Sequence, residues 1–158
     1  MKYLRISGLC LLLTITNTWG YSQQGSSASQ VETIKPNLFD SYPDKIPVDV
    51  TELKNLLAGV AAKGSPVSIH FLNNSLPGFE GQIVSRASKF NNTLRSVVIR
   101  SSKFNGATLT LSSSTTTDGA ARFSGRIISF QHADMYVLQK ENDNYYLIKK
   151  RFNEVVNE

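Results

Sequence analysis

The sequence predicts a mostly β protein of the α+β class, with one N-terminal helix packed on a curved antiparallel meander of six or seven strands. One helical stripe of apolar residues spans 50–62, and after Ser65 short apolar runs alternate with turn residues, as in consecutive hairpins. Long strands twist strongly, so partial closure into a barrel-like sheet is expected. A two-sheet sandwich is the alternative architecture.

Residues 1–22 are typical of a secretory signal peptide. Lys2 and Arg5 precede a ten-residue apolar run, and small residues follow it. Cleavage is expected after Gly20 or Ser22, which predicts export to the periplasm or beyond the cell. The run is too short for a transmembrane helix, so no membrane insertion is expected. The one cysteine lies in this leader, so the exported chain has no thiol for disulfides, nucleophilic catalysis or zinc.

The rest of the chain divides into an extended segment and one domain. Residues 23–48 are polar at first and then proline-containing, and we expect them to be extended; residues 49–158 form the single helix-plus-meander domain. Asp49 is a typical N-cap residue, and Glu52 three positions later completes a capping box. Gly64 is expected to end the helix.

Turn residues predict the hairpins. Asn91-Asn92 and Asn105-Gly106 favour two-residue type I′ turns, which fix the strand register. The predicted strands lie near 67–72, 79–90, 93–104, 107–116, 120–131, 135–140 and 145–151. The resulting core face comprises Phe79, Ile83, Ala87, Leu94, Val98, Phe104, Ala107, Leu109 and Leu111. Arg100 is the one charged residue that this register places on the core face.

The turn at Asp118-Gly119 allows two registers, and charge decides between them. A two-residue turn would place Arg122 and Arg126 in the core, at a cost of several kcal/mol for each buried guanidinium. A three-residue loop with a left-handed Gly119 places Phe123 and Ile127 there instead. We therefore expect the three-residue loop.

Residues that could carry catalysis are few. His70 and His132 are the only histidines, and His132 with Asp134 could orient a proton or bind a metal at a bend. We expect an exposed polar turn there instead. No nucleophile elbow, paired-carboxylate pattern or phosphate loop is present. The sequence thus predicts no catalytic residue, no metal site and no cofactor, and a small hydrolase would require the two histidines to share a pocket.

Positive charge is concentrated in the predicted long strands. The full chain has a net charge of +5 from 17 Lys and Arg against 12 Asp and Glu, and loss of Lys2 and Arg5 leaves +3. Residues 79–131 hold seven basic residues against two acidic ones. Such a surplus is typical of an anion-binding surface. Because the leader removes the chain from nucleic acid and no binding signature is present, nucleic acid is not an expected partner.

The predicted register arranges this charge in two rows on the polar face. One row holds Arg86, Val97, Ser114 and Arg122, and the other holds Gln82, Ser101, Thr110 and Arg126. Val84 and Ile99 are expected between the rows as a small apolar centre. The predicted ligand-binding residues are Gln82, Arg86, Arg95, Thr110, Arg122 and Arg126. The expected function is an exported, non-catalytic binding domain for an anionic saccharide or peptide; the alternative is an inhibitor or prodomain-like partner of a secreted enzyme.

Three stretches carry a resemblance to a known group. LFDSYPDKIPVDVTEL at 38–53, GRIISFQHAD at 125–134 and the final KKRFNEVVNE resemble small exported proteins of Bacteroidetes-type bacteria. This resemblance covers most of the chain after the leader. It implies a bacterial exported protein and assigns no functional residue.

Overall fold

The computed structural model describes residues 35–72 and 76–156, so the predicted leader and the polar tether before Lys35 lie outside the described residues. The elements follow in the order β1 (Lys45–Val48), α1 (Val50–Ala58), β2 (Pro66–Ile69), β3 (Phe79–Lys89), β4 (Leu94–Ser101), β5 (Thr108–Thr115), β6 (Ala121–Ile128), β7 (Asp134–Glu141), β8 (Asn144–Arg151) and α2 (Phe152–Val156). The protein is mostly β.

The strands form one curled antiparallel sheet, a half-barrel with the order β1-β8-β7-β6-β5-β4-β3-β2. The sheet therefore has eight strands, and the predicted count of six or seven is wrong. The additional strand is β1, which lies in the proline-containing segment and pairs with β8. Pro47 is tolerated because β1 is an edge strand, where a missing amide donor leaves no central ladder position unpaired.

Helix α1 is shorter than the range 50–62. The Asp49 side chain accepts a hydrogen bond from the Thr51 amide at 2.8 Å, which caps the first turn. The helix ends at Ala58 because Gly59 has a ψ of 150° and leaves the helical region, five residues before the expected stop at Gly64. Leu53 and Leu57 are buried in the same core as the sheet.

The β3–β4 hairpin has the predicted register only near its turn. Asn91 and Asn92 have φ of 53° and 67°, and the Thr93 amide donates to the Phe90 carbonyl, as a type I′ turn requires. Ser85–Lys89 then pair as predicted, but a bulge between Ile83 and Ser85 shifts the register by one residue. Since side chains alternate between faces, the bulge reverses the alternation along β3.

The turn between β4 and β5 is longer than predicted. Gly106 has a φ of 69°, and the Ala107 amide donates to the Phe104 carbonyl around Asn105-Gly106, but the strand pairing ends at the bond from the Ser101 amide to the Ala107 carbonyl. The Ser101 hydroxyl accepts the Phe104 amide at 2.8 Å. Phe104 leaves the strand and packs against an aromatic cluster that includes Phe39, with ring centroids 5.4 Å apart. Burial of this ring explains why the chain does not form the tighter turn.

The two departures correct the predicted core face of β4. Val97 and Ile99 are fully buried, whereas Val98 is half-buried on the opposite face. Arg100 is exposed and thus no longer misplaced. Ala87 and Leu94 are likewise not core residues. The other predicted core residues, Phe79, Ile83, Phe104, Ala107, Leu109 and Leu111, are buried.

The β5–β6 hairpin has the predicted three-residue loop. The Thr116 amide donates to the Ala120 carbonyl at 2.9 Å, and Gly119 has a φ of 80°. Phe123 and Ile127 are buried. We call this side of the sheet the inner face and the opposite side the outer face.

Candidate anion-binding face

The sheet does not bring all six predicted binding residues together. Arg86 lies on the inner face, because it pairs with the buried Val97 beyond the bulge. One terminal nitrogen of its guanidinium donates to the carbonyls of Leu56 at 2.8 Å and Leu57 at 3.2 Å. These are carbonyls of the last turn of α1, so Arg86 caps that helix and complements its negative end. The predicted placement of Arg86 on the polar face is wrong.

Arg95 is also absent from the outer face. It is half-buried and lies two residues before Val97, so its side chain belongs to the inner face. The predicted rows are therefore wrong as rows. Val97 pairs with Leu111 instead of Ser114, and the expected apolar centre loses Ile99, which is fully buried in the core.

The remaining four predicted residues lie on the outer face, and Arg100 joins them. Arg126 pairs with Thr110 across β5 and β6, while Arg100 pairs with Thr108 on one side and Gln82 on the other. Arg122 pairs with Ser114 farther along β6. Sequence reasoning missed Arg100, although its position as the one misfit in the predicted core was a signal that the register needed a shift.

We define the outer basic face as three arginines over a floor of hydroxyl side chains. The members are Arg100, Arg122, Arg126, Ser96, Thr108, Thr110, Ser112, Ser114 and Ser124. The three arginines are exposed. Strand spacing and rise place the α-carbons of Arg100 and Arg126 about 12 Å apart, with two threonines between them.

Few carboxylates accompany these arginines. Among residues 35–72 and 76–156, none of the three forms an ion pair or a side-chain hydrogen bond. The hydrogen bond from the Thr116 hydroxyl is the main cause that lowers the pKa of the Asp118 carboxyl, and the charge of Arg122 lowers it by a smaller amount. Asp118 accepts bonds within its own turn. The charge of Arg100 and Arg126 is thus directed to solvent.

A shallow groove of mixed polar and apolar lining adjoins Arg100 at the β2 edge of the sheet. Its lining residues are Pro66, Val67, Ser68, Glu80, Gly81 and Ser102. The Lys103 Nζ pairs with one carboxylate oxygen of Glu80 at 2.6 Å. The Ser102 amide donates to the Glu80 carbonyl at 2.9 Å, which places Glu80 diagonally beside Arg100 on the outer face.

The two histidines have different partners. His70 is exposed, with its Nδ1 3.6 Å from a carboxylate oxygen of Glu52. His132 lies 2.8 Å from the Ser129 hydroxyl, which is fully buried and out of reach of a substrate. Within the described ranges no group of three His, Cys, Asp or Glu could hold a metal ion.

Asp134 is not the exposed turn residue that the sequence suggested. It is 4% exposed, and its two carboxylate oxygens accept the amides of Leu38 at 2.6 Å and Phe39 at 2.8 Å. It therefore holds the segment before β1 against the sheet. Phe39 is buried beside Tyr136, and burial raises the pKa of that phenol, whose hydroxyl donates to the Pro43 carbonyl.

The inner face encloses an apolar cavity beneath α1. It lies between Leu53 of the helix and residues of the sheet such as Ile127 and Leu138, and its volume is about 20 Å³. That volume holds about one water-sized sphere, and an apolar lining of this kind stays dry. The cavity is too small for an organic ligand, so the outer face is the candidate site.

Comparison of the chain with family models, with curated proteins and with solved structures found no match. Within the described part of the chain, no helix has the length and apolar character needed to cross a membrane.

Proposed function

We propose that this protein is an exported, non-catalytic binding domain that takes an acidic saccharide on its outer basic face. The observation that carries the proposal is the set of three exposed arginines, Arg100, Arg122 and Arg126, that project over a hydroxyl floor without carboxylate partners among the described residues. Guanidinium groups bind carboxylates through two parallel hydrogen bonds. Export rests on the composition of residues 1–22.

The floor between the arginines supports a saccharide rather than a folded protein as ligand. Thr108, Thr110 and Ser112 are half-buried, and their side chains are shorter than those of the neighbouring arginines. Hydroxyl groups both donate and accept hydrogen bonds, as the hydroxyls of a sugar also do. The arginines supply the attraction to charge, and the floor supplies matching polar contacts.

Helix α1 covers the inner face of the sheet and not the outer basic face. Leu53 and Leu57 belong to the inner core, so the helix lies on the inner side of the sheet. Helix α1 therefore does not cover the outer face of β4–β6, where the three arginines are exposed, although Ile128 at the end of β6 is buried on that face. A surface of this kind, without a deep pocket, favours binding that weakens as salt screens the charges.

The test is retention on immobilised polygalacturonate, a polymer with one carboxylate on each sugar. We expect the parent protein to be retained at low salt and released by added salt, because exposed charges are screened. The double variant Arg100→Gln with Arg126→Gln should elute near the void volume. Both side chains are exposed, so its unfolding midpoint in urea should match that of the parent.

The matched control is the double variant Lys54→Gln with Lys63→Gln. Both lysines are exposed, and their loss changes the net charge by the same amount at positions on α1 and the following loop. Retention of this control should equal that of the parent. Equal losses in the two double variants would show that net charge, and not the outer basic face, causes retention.

A further inference from the structure

The groove beside Arg100 differs from the arginines in its chemistry. Beside Pro66, Val67 and Gly81, its lining includes two hydroxyl residues, Ser68 and Ser102, and one carboxylate residue, Glu80. A carboxylate accepts hydrogen bonds and donates none. In a groove that binds only polyanions, this carboxylate would weaken binding, because it repels each negative charge of the ligand.

We infer that this groove binds the hydroxyl groups of an acidic sugar chain whose carboxylate is held by Arg100, so that the ligand is a polyuronate with free hydroxyls on each sugar rather than a densely sulfated polymer. This inference rests on the proposed function and specifies its ligand class. Arg100 takes the carboxylate, and Glu80 with the two serines takes the hydroxyls.

The geometry of Glu80 leaves it available for this role. Lys103 occupies one carboxylate oxygen at 2.6 Å, and the other oxygen has no partner among the described residues. A carboxylate offers about four acceptor positions, so the second oxygen can still take sugar hydroxyls. The Lys103 pair also orients the carboxylate.

The backbone fixes the distance between Glu80 and Arg100. The Ser102 amide donates to the Glu80 carbonyl, and Gln82 pairs with Arg100, so the two side chains are diagonal neighbours on the outer face. Such neighbours lie about 7–8 Å apart at the α-carbon, which is within reach of long side chains. Gly81 lies between them in sequence, and any side chain there would collide with the Arg100 carbonyl. The close approach of β3 and β4 at this point therefore depends on glycine.

The variant Glu80→Gln separates this inference from simple charge attraction, because the two predict opposite signs. If only charge matters, loss of a carboxylate beside Arg100 strengthens the binding of every anionic polymer. If Glu80 accepts sugar hydroxyls, the variant binds polygalacturonate about tenfold more weakly, since hydrogen bonds to a charged acceptor are the stronger ones. It should meanwhile bind dextran sulfate, a dense polyanion, more tightly than the parent does.

Two further variants complete the experiment. Asp143→Asn removes an exposed carboxylate that also pairs with a lysine, Lys140, but lies in the β7–β8 turn; it should leave the affinity for both polymers unchanged. Ser68→Ala with Ser102→Ala removes hydroxyls without changing charge. It should weaken binding to polygalacturonate only, and it decides the question if Glu80→Gln fails to fold.

The outcomes are distinct. Tighter binding of Glu80→Gln to both polymers, or an unchanged serine double variant, overturns the groove inference and leaves the outer basic face as a general anion site. A parent protein that binds neither polymer overturns the proposed function itself.

Discussion

Arg86 and Arg126 lie in the same sheet, yet the two faces give them opposite roles. Arg86 points to the inner side, where its guanidinium binds the last carbonyls of α1. Arg126 points outward and is exposed beside Thr110. The chemical group is identical, so the difference comes from the strand alternation, which the bulge in β3 reverses before Arg86 and which places Arg126 of β6 on the outer face. For two arginines of the same sheet, the strand register thus decides whether the side chain supports the fold or faces solvent.

The largest effect is expected where β4 presents neighbouring residues to the two faces. Ile99 is fully buried, whereas Val98 is half-buried on the outer face. Ile99→Ala should lower the free energy of unfolding by about 2–5 kcal/mol, because it removes buried methyl groups and leaves a cavity. Val98→Ala should cost less than about 1 kcal/mol, the range for positions away from the packed core. Urea denaturation of both variants measures the difference. A larger loss for Val98→Ala than for Ile99→Ala would contradict the bulge and support the predicted register without it.

How far the sequence predicts this fold can be judged from the same strands. At Asp118-Gly119 the cost of burying Arg122 and Arg126 selected the three-residue loop, and the structure has it. At the β3–β4 hairpin one penalty of the same kind was present, because the predicted register placed Arg100 on the core face, but that misfit alone does not locate the extra residue at Val84. The position of a bulge depends on packing between residues that are distant in sequence, so the local pattern of apolar residues does not predict it.

The turn at Asn105-Gly106 shows a second limit. Asn-Gly favours a tight hairpin, but Phe104 gains more by packing with aromatic residues distant in sequence, such as Phe39. The same loop moved Arg100 to the outer face. Four of the six predicted site residues lie on that face. Arg86 does not, because it follows the bulge in β3, and Arg95 does not, because it pairs with Ser88 in the part of β3 beyond the bulge.

An intermediate effect is expected from the two arginines themselves. Arg86→Gln should lower the free energy of unfolding by about 1–3 kcal/mol, because it removes charged hydrogen bonds to the helix end. Arg126→Gln should change it by less than about 0.5 kcal/mol, as exposed substitutions usually do. The two variants have the same change in charge and side-chain type, so each serves as the control of the other. Equal stabilities in thermal and urea unfolding would contradict the capping role of Arg86.

The smallest effect on the free energy of unfolding should come from a substitution in the turn of the β3–β4 hairpin. Phe90 has a φ of 52° and is 74% exposed, so it adopts a left-handed backbone without the benefit of burial. An L residue in this region costs about 1–2 kcal/mol, and asparagine tolerates it better. Phe90→Asn should therefore raise the free energy of unfolding by about 0.5–1 kcal/mol. The hydrogen bonds that the Phe90 carbonyl accepts from Thr93 involve the backbone and remain possible.

Phe130→Asn is the control for this last variant. Phe130 is 72% exposed, its φ is not positive, and its ring contacts Phe152. The same substitution there relieves no backbone strain and loses an aromatic contact, so it should leave stability unchanged or lower it slightly. A gain at Phe130 equal to that at Phe90 would mean that removal of an exposed aromatic ring, and not the left-handed backbone, stabilises the protein. A gain at Phe90 alone would locate the strain in the turn that sets the register of both faces.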